Sequence, residues 1–434
     1  MPTFTAFYLV LVLVPLAVVL TGRVPPAQAG FWWAASMAAG FAGLSMMGVQ
    51  AVLTGRFRRV AALGPTDRIY LFHRYAGIAA ALVVLAHPVI LVVDEPERLI
   101  YLNPFEVPGS MVAGQAAVVA LLLLMATSLW RRWLHIPYEA WRIAHDALAL
   151  VAVVLAVVHI DGVRYYLGHS VKYAAWLVAA AVWIGCVVFA RVVRPWQVWR
   201  RPYRVMAVRR ERGDAWTISV APEGHAGWTF HPGQFAWLTI GGSPFTLSDH
   251  PFSFSSSPGR ADGRLEFTIK ELGDFTRTVG RVQPGTRAFV DGPYGGFTID
   301  RHEAPGYVFV AGGIGIAPLL SMLRALGERE DTRPHLLLHA GSCSERLTCR
   351  EAVDELAARL TLTVIPVLTD PEAGWTGERG YLTQALLDRY LPEDRTARHY
   401  FVCGPPAMIR AVRGHLVALG VPKARIHSEL FDMF

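Results

Sequence analysis

HRYAGIAAALVVLAH at residues 73–87 and HDALALVAVVLAVVH at residues 145–159 decide how this 434-residue chain is read. Each stretch is apolar, each starts and ends on histidine, and in each the two histidines stand 14 positions apart. On a helix that spacing is about 21 Å of rise and just under four turns, so both imidazoles of a stretch point the same way, one above the other. Two such helices side by side offer two stacked imidazole–imidazole sites, the geometry for two bis-histidine haems at different depths in a membrane. A lone histidine in an apolar span is ordinarily a packed or hydrogen-bonded side chain. Two pairs at one spacing on two compatible helices point instead to His73, His87, His145 and His159 as metal ligands.

The surrounding composition supports a membrane setting. The chain is 53% hydrophobic and 17% charged, against roughly 25% charged in a soluble globular protein. The apolar character gathers in residues 4–20, 30–53, 69–93, 111–130, 143–160 and 172–193, six runs mostly long enough to span. Ala27-Gln28-Ala29 before Gly30 resembles a signal-peptidase site, but the first residues, MPTFT, carry no positive charge, so a retained first helix is expected. Either choice leaves the other five spans in one orientation. Arg56, Arg58, Arg59 and Arg68 follow span two, Arg131, Arg132 and Arg142 follow span four, and Arg191, Arg194, Arg200 and Arg201 leave span six. The opposite side carries Asp94, Glu95, Glu97 and Glu106. The positive-inside rule places the arginine loops and the whole C-terminal half in the cytoplasm, as expected of a multi-pass protein of the inner (plasma) membrane. The net charge of +7 then fits contact with the anionic inner leaflet; no basic–aromatic motif points to nucleic acid.

With that topology His73 pairs with His145 near the inner face and His87 with His159 near the outer one. Ala76, Gly77, Ala79 and Ala80, with Ala144, Ala147 and Ala149, leave room for a flat macrocycle or serve close helix packing; both readings stay open. His135 and His169 lack partners at matching spacing and are expected at the interface. Arg164 is expected near the outer pair, as an anion-attracting group or a solvated loop residue. Cys186, Cys343, Cys349 and Cys403 show no zinc-ligand spacing, and none falls in an outer loop, so neither disulfides nor a structural metal are expected.

Residues 203–300 show short strand-like runs at 216–220, 235–240, 264–269 and 287–290, divided by Gly/Pro turns, which predicts a small antiparallel barrel. It carries HPFSFSSSP at 250–258 and GDFT at 273–276, whose hydroxyls and glycine suit the polar edge and pyrophosphate of a flavin nucleotide. YVFVAGGIGIAPLLSML at 307–323 then reads as strand, glycine turn and helix, a phosphate-approach pattern. Strand-like runs at 335–340, 362–367 and 399–402 follow, the last running into Cys403-Gly404-Pro405-Pro406, as in a doubly wound α/β domain.

The four histidines, HPFSFSS, GDFT, GGIGIAP and CGPP, in that order, resemble the ferric reductase/NADPH oxidase superfamily over nearly the whole chain. The resemblance implies a multidomain membrane protein: an all-α six-helix transmembrane haem domain (1–195), an antiparallel β-barrel FAD domain (196–302) and an α/β doubly wound NAD(P)H domain (303–434). It implies two b-type haems on the four histidines. His250, Pro251, Phe252 and Ser253 would contact FAD, with Ser253 near the flavin ring, and Lys270, Gly273 and Thr276 would contact its phosphates. Gly312, Gly313, Gly315 and Pro318, with Cys403, Gly404 and Pro405, would line the nicotinamide nucleotide site. Glu429-Leu430-Phe431 matches the family's Glu-x-aromatic ending, so Phe431 would cover the flavin, with Phe434 as second choice; Ser253, Cys403 and Phe431 are the implied catalytic set. Ser342, Ser344 and Arg346 suit the ribose phosphate of NADPH, although Cys343 stands where many relatives are basic, which leaves NADH open.

Relative to the eukaryotic oxidases there is no calcium-binding extension, no long outer loop and no docking segment, so a compact bacterial member working without an obligate regulatory partner is expected. No Trp or Phe lies midway between the histidines of either stretch, so an aromatic stepping stone has to come from another helix. The expected function is transmembrane electron transfer from NADPH through FAD and the haems to an outer acceptor, first O2 giving superoxide. A ferric chelate, or a periplasmic partner protein or quinone, is the alternative acceptor. A pure haem sensor fits poorly beside a complete dehydrogenase half.

Overall fold

The computed structural model describes residues 2–20, 30–57, 66–164, 166–246, 248–260 and 262–430. Phe431 and Phe434, the Ala27–Ala29 segment, Arg58 and Arg59 lie outside them. The chain divides into two compact units, Met1–Pro195 and Trp196–Phe434.

The first unit is helical: α1 (Pro2–Leu20), α2 (Phe31–Thr54), α3 (Thr66–Asp94), α4 (Gly109–Leu129), α5 (Tyr138–Val163) and α6 (Ser170–Val188). Among the described residues five helices, α2 to α6, are long and apolar enough to cross a membrane. That corrects the expected six: the run at 4–20 is also helical but is not one of the five. Small residues decide how these helices pair. Ser36, Gly40 and Gly43 recur along one face of α2, and a Cβ on Gly43 would lie 2.5 Å from Val84 of α3. On α4, Ser110 and Gly114 do the same for α5, where Gly162 meets the Ser110 side chain. Small side chains let backbones approach, which replaces the hydrophobic driving force that lipid does not supply. Hence α2 packs along α3 and α4 along α5. A part-buried ion pair near the histidines joins Arg191, on the π-turn Phe189–Val193 after α6, to Asp146 at 2.7 Å, as charges within apolar helices are expected to pair.

The second unit holds two sheets. The first comprises β1 (Pro202–Glu211), β2 (Ala215–Pro222), β3 (Phe235–Ile240), β4 (His250–Ser253), β5 (Leu265–Lys270) and β6 (Arg287–Tyr294), in the order β4-β3-β6-β1-β2-β5, all antiparallel. Its two edges meet through the bridge Phe254↔Phe267, so the sheet curls around a core containing Tyr203, Ile218, Phe254 and Phe267. The second comprises β7 (Tyr307–Gly312), β8 (His335–Gly341), β9 (Leu362–Leu368), β10 (Glu378–Arg379), β11 (His399–Cys403) and β12 (Ile426–Glu429), all parallel, in the order β10-β9-β8-β7-β11-β12. One face buries Phe309, Leu337 and Phe401 with the helix Ile316–Glu328, the other Val308, Val310 and Val402 with Pro406–Ala418. Apolar residues on both faces explain why β7 reads as an unbroken hydrophobic run. The order reverses between β7 and β11, the place where ligands bind in open α/β sheets.

Burial of β8 carries a pH signature. His335 and His339 are buried, and burial pushes each imidazole down to about 4, below the roughly 6.5 of an unfolded chain. Between those values the unfolded chain binds protons that the folded one does not, so stability falls as pH falls. Thermal melts are expected to drop in midpoint from about pH 7 to about pH 5, and His339→Leu to make that drop shallower; equal slopes would contradict the assignment.

Candidate electron-transfer site

Each unit holds residues expected at the site. In the helical unit α3 and α5 run in the same direction and bring their histidines together in register. The His73 and His145 ring centroids are 6.2 Å apart, and those of His87 and His159 6.5 Å. A metal–imidazole bond of about 2 Å, plus the roughly 1.1 Å from nitrogen to ring centre, taken on both sides of one ion, gives about 6.2–6.3 Å. Direct imidazole hydrogen bonding or stacking would not reproduce one such gap twice.

Neighbouring helices set the ring orientation. The His87 Nδ1–H donates to the Ser36 carbonyl (3.0 Å) while the Ser36 hydroxyl donates to the His87 carbonyl (2.7 Å). The His159 Nδ1–H donates to the Ser110 carbonyl (2.9 Å), and the Ser128 hydroxyl lies 3.1 Å from Nδ1 of His145. A carbonyl can only accept, so at His87 and His159 the proton sits on Nδ1 and the Nε2 lone pair is left for a metal. The Nδ1 of His73 is buried with no partner among the described residues. Glycines make the fit tight: a Cβ on Gly40 would lie 3.3 Å from His87, and one on Gly114 2.8 Å from His159.

An apolar cavity of about 490 Å³ opens beside the His87/His159 pair, walled by residues such as Phe41, Val84, Leu91 and Val118. Arg98 lines it, held by Asp94 (3.3 Å) and Glu95 (2.6 Å). Arg164, expected near the outer pair as an anion-attracting group or a solvated loop residue, is not among the lining residues and is exposed, pairing with Asp161 at 3.1 Å beside Tyr173, which fits the loop reading. His169 caps α6, accepting from the Val171 N–H, and His135 sits in a left-handed turn. Reading the sequence missed Arg98, Ser36, Ser110, Ser128, Gly40 and Gly114. The Ser36–Gly40–Gly43 spacing was a visible signal, but its partner helix was not.

In the second unit β4 is an edge strand, and Pro251 sits where no ladder amide is needed. The Ser253 side chain is buried and its hydroxyl has no partner among the described residues, a cost that a flavin edge would remove. The His250 ring stacks on Phe275 at 4.1 Å, which braces β4 against the turn holding Gly273. Space is open where a Gly273 Cβ would stand. Thr276 departs from the simple expectation, since its Oγ accepts the Leu272 and Gly273 amides at 2.8 Å each; it shapes the turn. Lys270 ends β5, directly before that turn.

At the switch point two glycine turns touch backbone to backbone. A Cβ on Gly315 would lie 2.2 Å from the Cys403 carbonyl, one on Gly312 2.9 Å from Pro405, while Gly313 (φ +54°) faces open space. Pro318 lies in the first turn of the following helix, and Gly404 and Pro405 lead into the other. Cys403 is fully buried, and burial, with Glu429 beside it, pushes its thiol well above the ordinary value. It is a neutral thiol, not a thiolate nucleophile. Ser342 and Arg346 follow β8; Arg346 faces Asp214 at 3.9 Å, and the Ser344 N–H points at Glu372 at 3.4 Å.

Three family models match in sequence: a ferric reductase like transmembrane component over residues 39–157, an FAD-binding domain over 203–298 and an oxidoreductase NAD-binding domain over 309–414. The chain belongs to the ferric reductase/NADPH oxidase superfamily. It is therefore a multi-pass transmembrane electron-transfer oxidoreductase of the NAD(P)H-dependent kind, with its dehydrogenase domains C-terminal. It is similar to NADH-cytochrome b5 reductase 1 of Cryptococcus neoformans (30% identical over 203 residues, 44% of this chain and 68% of that protein). It is also similar to the sulfhydrogenase 1 subunit gamma of Pyrococcus furiosus (34% over 215 residues, 48% and 70%). A solved ferredoxin reductase in carbazole 1,9a-dioxygenase aligns at TM-score 0.47 and 24% identity over 53% of this chain and 69% of that one, a likeness that decides nothing about function.

The Gly315 contact makes a direct test. An alanine there must push two turns apart by about 1 Å, a displacement that costs catalysis on the order of 100-fold. Steady-state kinetics on Gly315→Ala are expected to show kcat/KM for NAD(P)H reduced by about 10- to 100-fold with flavin content unchanged; an unchanged value would remove the turn from the nucleotide site.

Proposed function

We propose that this protein oxidises NAD(P)H on the cytoplasmic side of a bacterial plasma membrane and reduces O2 to superoxide on the other. The observation that carries the reading is the pair of matched imidazole gaps, 6.2 and 6.5 Å, on one pair of helices. When bound, FAD would supply hydride acceptance and single-electron release, and haem held by the paired imidazoles would supply one-electron transfer.

The chain's own residues supply position and surroundings. His73 with His145, and His87 with His159, would hold the two irons; Ser36, Ser110 and Ser128 orient three of the rings. The Arg98 guanidinium offers a cationic contact for an anionic group at the cavity beside the outer pair, while the apolar walls exclude water. Gly312, Gly313, Gly315, Cys403, Gly404 and Pro405 admit the nicotinamide nucleotide. His250, Pro251, Phe252, Ser253, Lys270 and Gly273 would hold FAD, Thr276 shapes its phosphate turn, and Phe431 or Phe434 would cover the flavin.

Superoxide production is favoured over ferric-chelate reduction because the acidic outer segment is partly spent: Asp94 and Glu95 hold Arg98, and Glu106 accepts from Asn103. NADPH is the reading from Ser342, Ser344 and Arg346. NADH is the second, favoured by the carboxylates of Asp214 and Glu372 at those groups and by the relative named an NADH reductase. The ratio of kcat/KM for the two nucleotides decides between them.

NAD(P)H-driven cytochrome c reduction is expected to be abolished by superoxide dismutase, with a slower ferric-chelate activity beside it. Dismutase-insensitive reduction would remove the oxidase reading. His87→Ala and His159→Ala are expected to lose acceptor reduction while NAD(P)H still bleaches the flavin at the wild-type rate. Gly114→Ala, which drives a methyl into His159, is expected to fall between them and the wild type in haem absorbance; full retention of haem and activity would contradict the packing.

A further inference from the structure

Three imidazoles outside both sites meet in the nucleotide domain. His302 follows the short turn Ile299–Arg301, His399 opens β11, and His427 is the second residue of β12. One ring nitrogen from each lies within 4.8 Å of the other two. Nδ1 of His399 and Nε2 of His427 are 2.9 Å apart, and the His302 ring stands 3.9 Å from that of His427 and 4.7 Å from that of His399. The cluster sits at the strand-start end of β11, four residues, or roughly 13 Å, from Cys403 and the nucleotide crevice.

We propose that His302, His399 and His427 form a binding site for a borderline divalent transition-metal ion, zinc being the representative. Three imidazoles and no carboxylate suit zinc, copper or nickel and not magnesium or calcium. Nitrogens bound to one zinc at about 2.0–2.1 Å with tetrahedral angles lie about 3.3 Å apart. The His399–His427 pair reaches that by opening a few tenths of an ångström, and His302 by turning its ring inward. Water fills the fourth position. The proton now shared between His399 and His427 moves to the far nitrogen of its own ring, so the ligands stay neutral and no proton is lost.

His399 and His427 are half-buried, and a neutral imidazole offers its lone pair to a metal. The guanidiniums of Arg301, Arg413 and Arg425 also act on the cluster. They oppose any cation, yet Arg413 is turned to the Ser428 hydroxyl and Arg425 to the Ala397 carbonyl. Their charge weakens the site without filling it. A metal here would tie the loop before β7 to β11 and to β12, the strand that leads to Phe431.

The test uses tag-free full-length protein, loaded with its cofactors in detergent and dialysed against micromolar ZnCl2, with zinc counted by elemental analysis. Wild type is expected to retain one zinc per chain more than His302→Gln, His399→Gln and His427→Gln, and to melt several degrees higher with zinc than without. The control His415→Gln is expected to match wild type. Equal zinc in wild type and the three variants, or no melting shift, overturns the site. If a variant does not fold, zinc protection of the three imidazoles of wild type from diethylpyrocarbonate, read by mass spectrometry, decides: protection supports the site and equal modification overturns it.

Discussion

The distance between facing imidazoles on α3 and α5 is the constraint around which the helical unit is arranged. Each gap is too wide for a hydrogen bond and right for one metal ion held from both sides. Lipid gives helices no reason to hold such a gap, so it has to be set by contacts elsewhere. Those contacts are the small-residue faces of α2 and α4. They let α2 close on α3 and α4 on α5, and they turn two of the histidines by carbonyl bonds from Ser36 and Ser110. A rigid pair on each side leaves space between them, and beside the outer histidines that space is an apolar cavity.

The second unit applies a different rule to the same end. Its two strand-to-helix turns cross backbone to backbone at Gly315 and Cys403, with the Met408 side chain packed against Gly312 and Gly404. The open space at Gly313 leaves the backbone there accessible, as a pyrophosphate contact requires. Burial keeps Cys403 a neutral thiol, so this site supplies shape and contact, and the electron chemistry belongs to the cofactors. On an edge strand, the buried Ser253 hydroxyl has no partner among the described residues, which would suit a flavin edge.

Much of this was legible because helical and strand periods report on faces. The 14-residue histidine spacing placed four side chains in two pairs, and the apolar runs at 235–240, 335–340 and 399–402 lie within or along β3, β8 and β11. What escaped was every relation between elements. Arg98 carried no sequence signal as a cavity cation, and only tertiary contact shows that it lines the cavity while Arg164 pairs with Asp161. The family resemblance implies a phosphate contact for Thr276, and the structure shows its hydroxyl accepting the amides of its own turn. The serines that orient the histidines lie 17 to 51 positions from them, a separation no local pattern reveals. His302, His399 and His427 are likewise scattered in sequence and meet only through the β11–β12 register.

The claim on which the account rests is that each imidazole pair holds one iron porphyrin. Haem content by pyridine haemochromogen assay, together with low-temperature EPR of the oxidised protein, tests it most directly. Two b-type haems per chain, both low-spin with bis-imidazole g-values, are predicted. A single haem, or a high-spin signal at either site, would contradict it.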